Sequence, residues 1–428
     1  MYQKTILENG IRVITEQMDI FSSVSICVLI ETGPRDEPIE KCGVAHLSEH
    51  LMFQGTSNRN ALQIARLMDG AGGYMGGFTS RDYTCYSATV LSDYTTYVLD
   101  LFGDILLNSI FPNESLAKEK ESVVCEIEAA RDQPDIRTAN LFRATRWANH
   151  SLGYPIVGYS NTVSNLTRHD IIYFVHQNYL PNKIIVAASG NINHKNFVTQ
   201  VGDAFWRMLG EKTSIAYSMP NTELKIVTES LPVSQAYFSL GIRACQYANT
   251  NRYLVHVINK ILGGGISSRL FRKIREEQGL VYNISSEYMA YLEDGVLIVE
   301  GSTIPEYLQT VLEQIILELK NLFSCDEPID DEELLIAKTH LKGQHIIAGE
   351  NVDTRMSRLA TQELYFHRYI DTKEITTAIE TIEGEALKDL LQTNLYQNLS
   401  KATLSIVGPT IDKYVSIDKI TKLLEKNN

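Results

Sequence analysis

An internal repeat constrains this chain of 428 residues more than any other feature. The stretch QNYLPNKIIVAASGNI, residues 177–192, is echoed by QTNLYQNLSKATLSIVGPTI, residues 392–411, and the glycines near their ends, Gly190 and Gly408, stand 218 residues apart. Each half also opens with an alternating apolar stretch, SVSICVLIETG or SQAYFSLGIRA, and continues through helical patterns to its closing strand. Because chance rarely produces a shared order of elements, we interpret the repeat as a duplication.

The repeat predicts two homologous domains of the α+β class. We place one at residues 1–210 and the other at residues 225–428, joined by a linker at residues 211–224, where Pro220 stands in a stretch without periodicity. The alternating strands indicate mostly antiparallel sheets, each packed against helices. The length of the chain agrees with this division, since it suggests about two to three domains.

Charge and hydropathy exclude several classes of partner. A net charge of −13 argues against nucleic acid and anionic membrane surfaces. The longest apolar runs, such as VSICVLI at residues 24–30, have the length of a strand and are far too short to cross a bilayer. The stretch MYQKTILENGIRVITEQ has no apolar signal core and predicts a hairpin around Asn9-Gly10. We therefore expect a cytoplasmic protein that binds neither nucleic acid nor membrane.

The stretch CGVAHLSEHLMFQGT, residues 42–56, contains two histidines and a glutamate in H-x-x-E-H spacing. On a helix predicted over residues 40–53, His46 and His50 share one face and Glu49 lies at its rim. Two imidazoles and a carboxylate suit zinc, with one position open for a water whose proton a nearby carboxylate can take. The alternative is a helix face with two hydrogen-bonded histidines.

A third ligand can come from the strong helix former SLAKEKESVVCEIEAARDQP, residues 115–134. Glu119 and Glu126 are two helical turns apart and therefore point the same way. Glu126 would complete the metal site, and Glu119 would hold a ligand or the catalytic acid in place. The alternative here is a solvated, charged helix.

These motifs together resemble a known family. H-x-x-E-H is the inverted zincin signature, and its combination with Glu126 is similar to the pitrilysin (insulinase) family of zinc metallopeptidases, in particular its mitochondrial-processing-peptidase-like branch. The resemblance extends from NGIRVITE to LSIVGP. It implies one zinc ion per chain held by His46, His50 and Glu126, with Glu49 as general base and Glu119 as a supporting acid. It also implies that each chain forms half of a clamshell chamber.

The second half carries a glycine-rich motif, ILGGGISSRLFRKIREEQGLVY, residues 261–282. The motif lacks the ending of a phosphate-binding loop, and on its own it predicts a flexible loop, a helix over residues 268–277 and a stop at Gly279. It also resembles the family segment whose arginine and tyrosine reach the substrate. This implies that Arg275 binds substrate or orients the tyrosine, and that Tyr282 donates a hydrogen bond to the oxyanion. A core aromatic is the alternative for Tyr282.

The family binds its substrate as an added strand at a sheet edge near the zinc. The matching segment is GAGGYMGGFTSRDYTCYSATVL, residues 70–91, which implies substrate binding by Gly76, Gly77, Phe78 and Thr79. Relatives usually have Asn-Ala where this chain has Gly76-Gly77, so the asparagine amide expected to hold the substrate backbone is missing. Two glycines would leave more room beside the scissile bond or loosen the loop.

The function implied by the resemblance is that of a zinc metalloendopeptidase, a hydrolase that cleaves unfolded peptides or leader (presequence) segments inside a dimeric chamber. In larger members of this family four homologous domains enclose the substrate, and the first supplies the zinc whereas the last supplies the arginine and tyrosine. This chain has both motifs but only two domains, so the resemblance implies composite sites in a homodimer or in a heterodimer with a homologous subunit. Two alternatives stay open. In the first, the chain is an active subunit that needs a zinc-less homologous partner. In the second, it is a non-catalytic structural or assembly subunit of the same fold.

Overall fold

A computed structural model describes residues 1–211, 217–326 and 328–425 of the chain. Residues 212–216 of the predicted linker lie outside the described residues. The chain forms two compact units, each assembled from three separate segments. The first unit comprises Met1–Ala129, Tyr154–Ala216 and Ile347–Ile370, and the second comprises Ala130–Gly153, Tyr217–Ile346 and Asp371–Asn428.

The first unit is built on a six-stranded sheet. Its strands are β1 (Tyr2–Ile6), β2 (Arg12–Gln17), β3 (Ser23–Ile30), β4 (Tyr74–Thr79), β5 (Thr84–Leu91) and β6 (Ile184–Gly190), arranged in the order β1-β2-β6-β3-β5-β4. Strands β2 and β6 run parallel, whereas the other neighbouring pairs are antiparallel. The predicted hairpin is confirmed: β1 and β2 flank Gly10, whose φ of +96° favours glycine.

The second unit is built on a five-stranded sheet with matching topology. Its strands are β7 (Lys225–Ser230), β8 (Ala236–Ala244), β9 (Asn283–Ala290), β10 (Gly295–Thr303) and β11 (Thr403–Gly408), in the order β7-β11-β8-β10-β9 with β7 and β11 parallel. This order repeats β2-β6-β3-β5-β4, and the repeat glycines Gly190 and Gly408 end the equivalent strands β6 and β11. The predicted α+β class with mostly antiparallel sheets is confirmed.

Helices cover both sheets, and within the described residues none is long and apolar enough to cross a membrane. In chain order they are α1 (Val44–Leu51), α2 (Ala61–Gly70), α3 (Thr95–Asn108), α4 (Asn113–Asp132), α5 (Pro134–Arg146), α6 (Ser160–Asn165), α7 (Arg168–Asn178), α8 (His194–Phe205), α9 (Arg252–Leu262), α10 (Leu308–Ser324), α11 (Asp331–Ala348), α12 (Val352–Phe366), α13 (Thr372–Glu380), α14 (Gly384–Leu390), α15 (Tyr396–Leu399) and α16 (Ile417–Glu425). The helix predicted over residues 268–277 is found at residues 269–276, where Phe271–Glu276 is wound as a π-helix.

Strand β3 shows why the first sheet is apolar on both faces. Ile26 and Val28 belong to the core beneath helices that include α1, α3 and α8, whereas Cys27 and Leu29 point to the opposite face and pack in a cluster with Leu359 of α12. Successive residues of a strand alternate between faces, so a sheet covered on both sides needs an unbroken apolar run. Residues 26–30 form this run.

Two equivalent helices are exchanged between the sequence halves. Helix α5, from the first half of the chain, packs on β8 and β11 in the second unit, whereas α12, from the second half, packs on β3 and β6 in the first. The packing units therefore do not coincide with continuous halves of the sequence. The boundaries at residues 1–210 and 225–428 stay a prediction about the duplication.

Candidate metal centre

Helix α1 carries three of the predicted site residues. The position of its first turn is set by Gly43 and Glu37, which were not predicted as site residues. The prediction that this helix begins at residue 40 is wrong, because Gly43 adopts φ +97° and the helix begins after it. The buried carboxyl group of Glu37 accepts hydrogen bonds from the N–H groups of Gly43 at 2.8 Å and Ala45 at 2.7 Å. These bonds satisfy donors that a helix start leaves unpaired, and they fix the direction of α1.

Helices α1 and α4 bring the three predicted zinc ligands together. His46 Nε2 lies 3.8 Å from Glu126 Oε2, and His50 Nε2 lies 3.9 Å from Glu126 Oε1. One ligand atom from each of the three residues lies within 4.8 Å of the others. Two imidazoles and one carboxylate form the donor set of a catalytic zinc site, in which each bond is about 2.0–2.2 Å long. The three residues fit this ion.

The protonation state of His46 also suits a metal. Burial, followed by the proximity of His50, lowers the pKa of His46 to about 4. The His46 ring is therefore neutral at neutral pH, which is the form that binds metal. The two rings lie on one face of α1, with their centroids 4.6 Å apart, as expected for residues one helical turn apart.

Glu119 lies behind His50. Its Oε2 is 3.0 Å from His50 Nδ1, and its Oε1 accepts a hydrogen bond from Gln54 Nε2 at 2.8 Å. A carboxylate on Nδ1 fixes the tautomer of a histidine and leaves Nε2 for a metal. His46 has no such support, since its Nδ1 is buried without a hydrogen-bond partner among the residues that the structure describes. Gln54 was not predicted as a site residue, although it lies only four residues after His50.

Glu49 lies outside the three-ligand cluster and faces β4. Its carboxylate accepts a hydrogen bond from Thr79 Oγ1 at 3.4 Å. Burial raises the pKa of Glu49, while the charge of His50 and the bond from Thr79 partly oppose this rise. A general base works best when its pKa is close to the operating pH, so a raised pKa suits Glu49 for taking a proton.

The predicted substrate-binding residues lie on β4, the edge strand of the first sheet. A Cβ on Gly77 would lie 2.5 Å from Glu49 Oε1, whereas a Cβ on Gly76 would meet open space. The lack of a side chain at Gly77 therefore allows the Glu49 carboxylate to lie against β4. The lack of one at Gly76 leaves open space beside the strand. Phe78 is 45% exposed. An edge strand with unpaired backbone groups can accept an extended peptide as a further strand.

Arg275 and Tyr282 lie in the second unit. The Arg275 guanidinium lies over the ring of Phe271, with 4.7 Å between Cζ and the ring centroid. Tyr282 is 77% exposed, so the alternative of a core aromatic is wrong. It lines a cavity of about 630 Å³ together with Asp135 and Glu300. Arg275 is exposed as well, so both predicted substrate-side residues are accessible to a ligand.

Comparison with known proteins identifies the family. Residues 12–159 match the family described as Insulinase (Peptidase family M16), and residues 165–341 match the Peptidase M16 inactive domain. The chain belongs to the M16 peptidase family. YmxG of Bacillus subtilis, named an uncharacterized zinc protease, is 31% identical over 95% of this chain and 99% of its own length. An uncharacterized zinc protease of Mycobacterium tuberculosis is 31% identical over 95% of this chain and 93% of its own length.

Two solved structures share the fold. An M16 inactive domain from Pseudomonas fluorescens superposes with a TM-score of 0.87 at 20% identity, covering 96% of this chain and 98% of that one. A protease from Helicobacter pylori gives a TM-score of 0.87 at 20% identity, covering 96% of this chain and all of that one. The predicted family is confirmed. The mitochondrial-processing-peptidase-like branch and the cytoplasmic location stay predictions.

Proposed function

We propose that this M16 protein is a zinc-dependent endopeptidase that hydrolyses unfolded peptides or leader segments. One observation carries the proposal: His46, His50 and Glu126 place three donor atoms within 4.8 Å of one another, with buried Glu49 beside them. A purely structural subunit would gain nothing from this cluster, because removing polar groups from water without full pairing costs stability.

Each residue of the site has a chemical task. Zinc, when bound to His46, His50 and Glu126, would supply a Lewis acid that polarises the scissile carbonyl and acidifies water. Glu49 takes a proton from the attacking water and passes it to the leaving amine. Glu119 keeps the His50 ring in its binding orientation. The backbone of β4 holds the substrate as an added strand, which tolerates many sequences.

We infer that the active form is a dimer with composite sites. Tyr282 is exposed, and its hydroxyl can donate a hydrogen bond to the oxyanion that forms at the scissile carbonyl, while Arg275 binds the substrate. In this arrangement the metal site of one chain works with the Arg275–Tyr282 pair of another. The partner is an identical chain or a homologous subunit.

Zinc analysis combined with peptide hydrolysis tests the proposal. We expect about one zinc per chain. We also expect the protein to cleave peptides of a mixed pool, with the products identified by mass spectrometry. A chelator should abolish this cleavage. Glu49→Gln should keep the zinc and lower hydrolysis by about 10²- to 10⁴-fold. The matched control Glu121→Gln changes an exposed carboxylate on α4 and should leave both unchanged.

Three results would contradict this proposal or redirect it. A well-folded preparation that takes up no zinc would identify a structural subunit. A preparation that binds zinc but cleaves only after a homologous subunit is added would identify the active subunit of a heterodimer. Hydrolysis that Glu49→Gln leaves at the wild-type rate would show that the catalytic centre lies elsewhere.

A further inference from the structure

The second unit contains a cavity where the duplication places the counterpart of the metal centre. The 218-residue spacing of the repeat sets Ser267 and Ser268 at the positions of Glu49 and His50, and α11 at the position of α4. Together with α9, these segments enclose a cavity of about 110 Å³. A water molecule occupies about 30 Å³ of the liquid, so the cavity has room for a small polyatomic group.

Two basic side chains line this cavity. Lys260 of α9 donates a hydrogen bond to the carbonyl oxygen of Gly264, and within the described part of the chain it has no carboxylate partner. His340 of α11 lies on the same cavity. Burial lowers the pKa of Lys260, and burial together with the charge of Lys260 lowers the pKa of His340. The charge of Lys260 thus opposes protonation of His340, and neither side chain forms an ion pair with a carboxylate of the described residues.

The remaining polar groups of the cavity also lack an anion. Ser268 is only 2% exposed, and its Oγ makes no hydrogen bond to any described residue. One acid, Glu333, lines the cavity, but its two oxygens accept hydrogen bonds from the Arg269 guanidinium at 2.8 and 2.7 Å. Its charge is therefore neutralised, and the cavity as a whole presents an excess of positive charge.

We propose that this cavity binds a small oxyanion, with Lys260, His340 and Ser268 as hydrogen-bond donors. A carboxylate or phosphate group would accept hydrogen bonds from the orphaned Ser268 hydroxyl, the Lys260 ammonium and the His340 ring, and hydrogen bonds to charged groups are the stronger ones. The equivalent position in the first unit holds two imidazoles and three carboxylates and suits a cation. The duplicated sites have thus diverged from cation binding to anion binding.

Anion binding by the full-length chain tests this proposal without reference to hydrolysis. Calorimetric titrations at constant ionic strength would use inorganic phosphate, acetate, and a short peptide with either a free or an amidated C-terminus. Saturable binding of phosphate alone would identify a phosphate site. Binding of acetate and of the free-carboxylate peptide, but not of its amide, would identify a site for a peptide terminus. Either result supports the proposal.

Variants connect the binding to the cavity. Lys260→Met should raise the dissociation constant about 10-fold or more, and Ser268→Ala should raise it several-fold. The control Lys342→Met removes an exposed charge of α11 that pairs with Glu380 and should change nothing. Absence of saturable binding in all arms, or equal binding by Lys260→Met and wild type, would overturn the proposal. If circular dichroism shows Lys260→Met unfolded, Ser268→Ala and His340→Gln decide by the same criterion.

Discussion

At the scale of single residues, Glu119 should govern zinc affinity without touching the metal. Glu119→Ala removes the partner of His50 Nδ1 and the acceptor of Gln54. Loss of such a supporting carboxylate typically lowers metal affinity about 10- to 100-fold. Competition with a chromogenic chelator measures this change, and Glu121→Ala on the same helix is the control. Equal zinc affinity in both variants would show that Glu119 has no supporting role.

The pH dependence of stability should reveal Glu37. Burial raises the pKa of this carboxyl from 4.5 to about 8, even though the N–H groups of Gly43 and Ala45 favour its charged form. Between these two values the folded protein holds a proton that the unfolded chain has released. The contribution of Glu37 to stability therefore falls as the pH rises from about 4.5 to about 8, and one pKa unit corresponds to about 1.4 kcal/mol.

Glu37→Gln tests this dependence. The variant should lose stability, because an amide replaces one acceptor oxygen. Between pH 5 and 8, however, its free energy of unfolding should fall less than that of the wild type, by about 1 to 3.5 kcal/mol. Urea unfolding of the metal-free protein measures both slopes. Glu40→Gln, at an exposed position nearby, should keep the wild-type slope. Parallel slopes for Glu37→Gln and wild type would contradict the shift.

Sequence spacing could predict the polar residues of the site but not its steric fit. H-x-x-E-H and two glutamates seven residues apart on a helix made His46, His50, Glu119 and Glu126 candidates, because helical geometry fixes which of them share a face. Their roles were then implied by the resemblance to a family. The role of Gly77 could not be predicted in this way. It depends on how closely β4 approaches α1, a distance set by packing between segments far apart in sequence.

At the scale of elements, Gly43 should control where α1 begins. It has φ +97°, and a Cβ there would lie 2.9 Å from the backbone oxygen of Val157. Gly43→Ala should lower the free energy of unfolding by about 1–3 kcal/mol and weaken zinc binding, because it disturbs the helix that carries both histidines. Thermal unfolding with and without zinc measures both effects.

Gly72→Ala separates steric contact from backbone strain. Gly72 also has positive φ, +68°, but a Cβ there would meet open space. The Gly72→Ala substitution should therefore lower the free energy of unfolding by about 1 kcal/mol and leave zinc affinity unchanged. If the two variants behaved alike, the contact with Val157 would have no importance.

Helix boundaries could be predicted only where the chain carries a local signal. The stretch at residues 115–134 is found as α4, and Pro134 begins α5 rather than only ending the helix before it, because proline fits the first turn. The start of α1 was placed four residues too early. Nothing in CGVAHL alone shows that Gly43 takes a left-handed conformation, because this depends on its contact with Gly158.

At the scale of the whole molecule, the repeat predicted the paired sheets but not the exchange of α5 and α12. Hydropathy shows that a helix has an apolar face without showing which sheet it covers. The contacts that determine which sheet each helix covers are non-local. Ser405 Oγ of β11 donates a hydrogen bond to the carbonyl oxygen of Thr138 in α5 at 3.0 Å. The Tyr365 hydroxyl of α12 donates a hydrogen bond to Asp82 at 2.7 Å. Each helix thus packs on a sheet that lies far from it in sequence.

The composite dimer should show itself through complementation. Glu49→Gln leaves the Arg275–Tyr282 pair intact, whereas Tyr282→Phe leaves the metal centre intact. In a mixed dimer with sites formed in trans, one of the two sites combines the unmodified Glu49 of one chain with the unmodified Tyr282 of the other. If exchange is complete, half of the dimers are mixed, so the mixture should recover about one quarter of the wild-type sites.

The measurement compares peptide hydrolysis by the two variants alone and after mixing at equal concentration. Differently tagged chains establish that subunits have exchanged. As a control, Glu49→Gln mixed with Glu49→Gln/Tyr282→Phe contains no intact Glu49 and should stay inactive. A verified mixture that remains as inactive as this control would show that Tyr282 does not act across the dimer. Tyr282→Phe that alone keeps full activity would instead remove Tyr282 from catalysis, because losing an oxyanion donor should cost about 10²- to 10³-fold in rate.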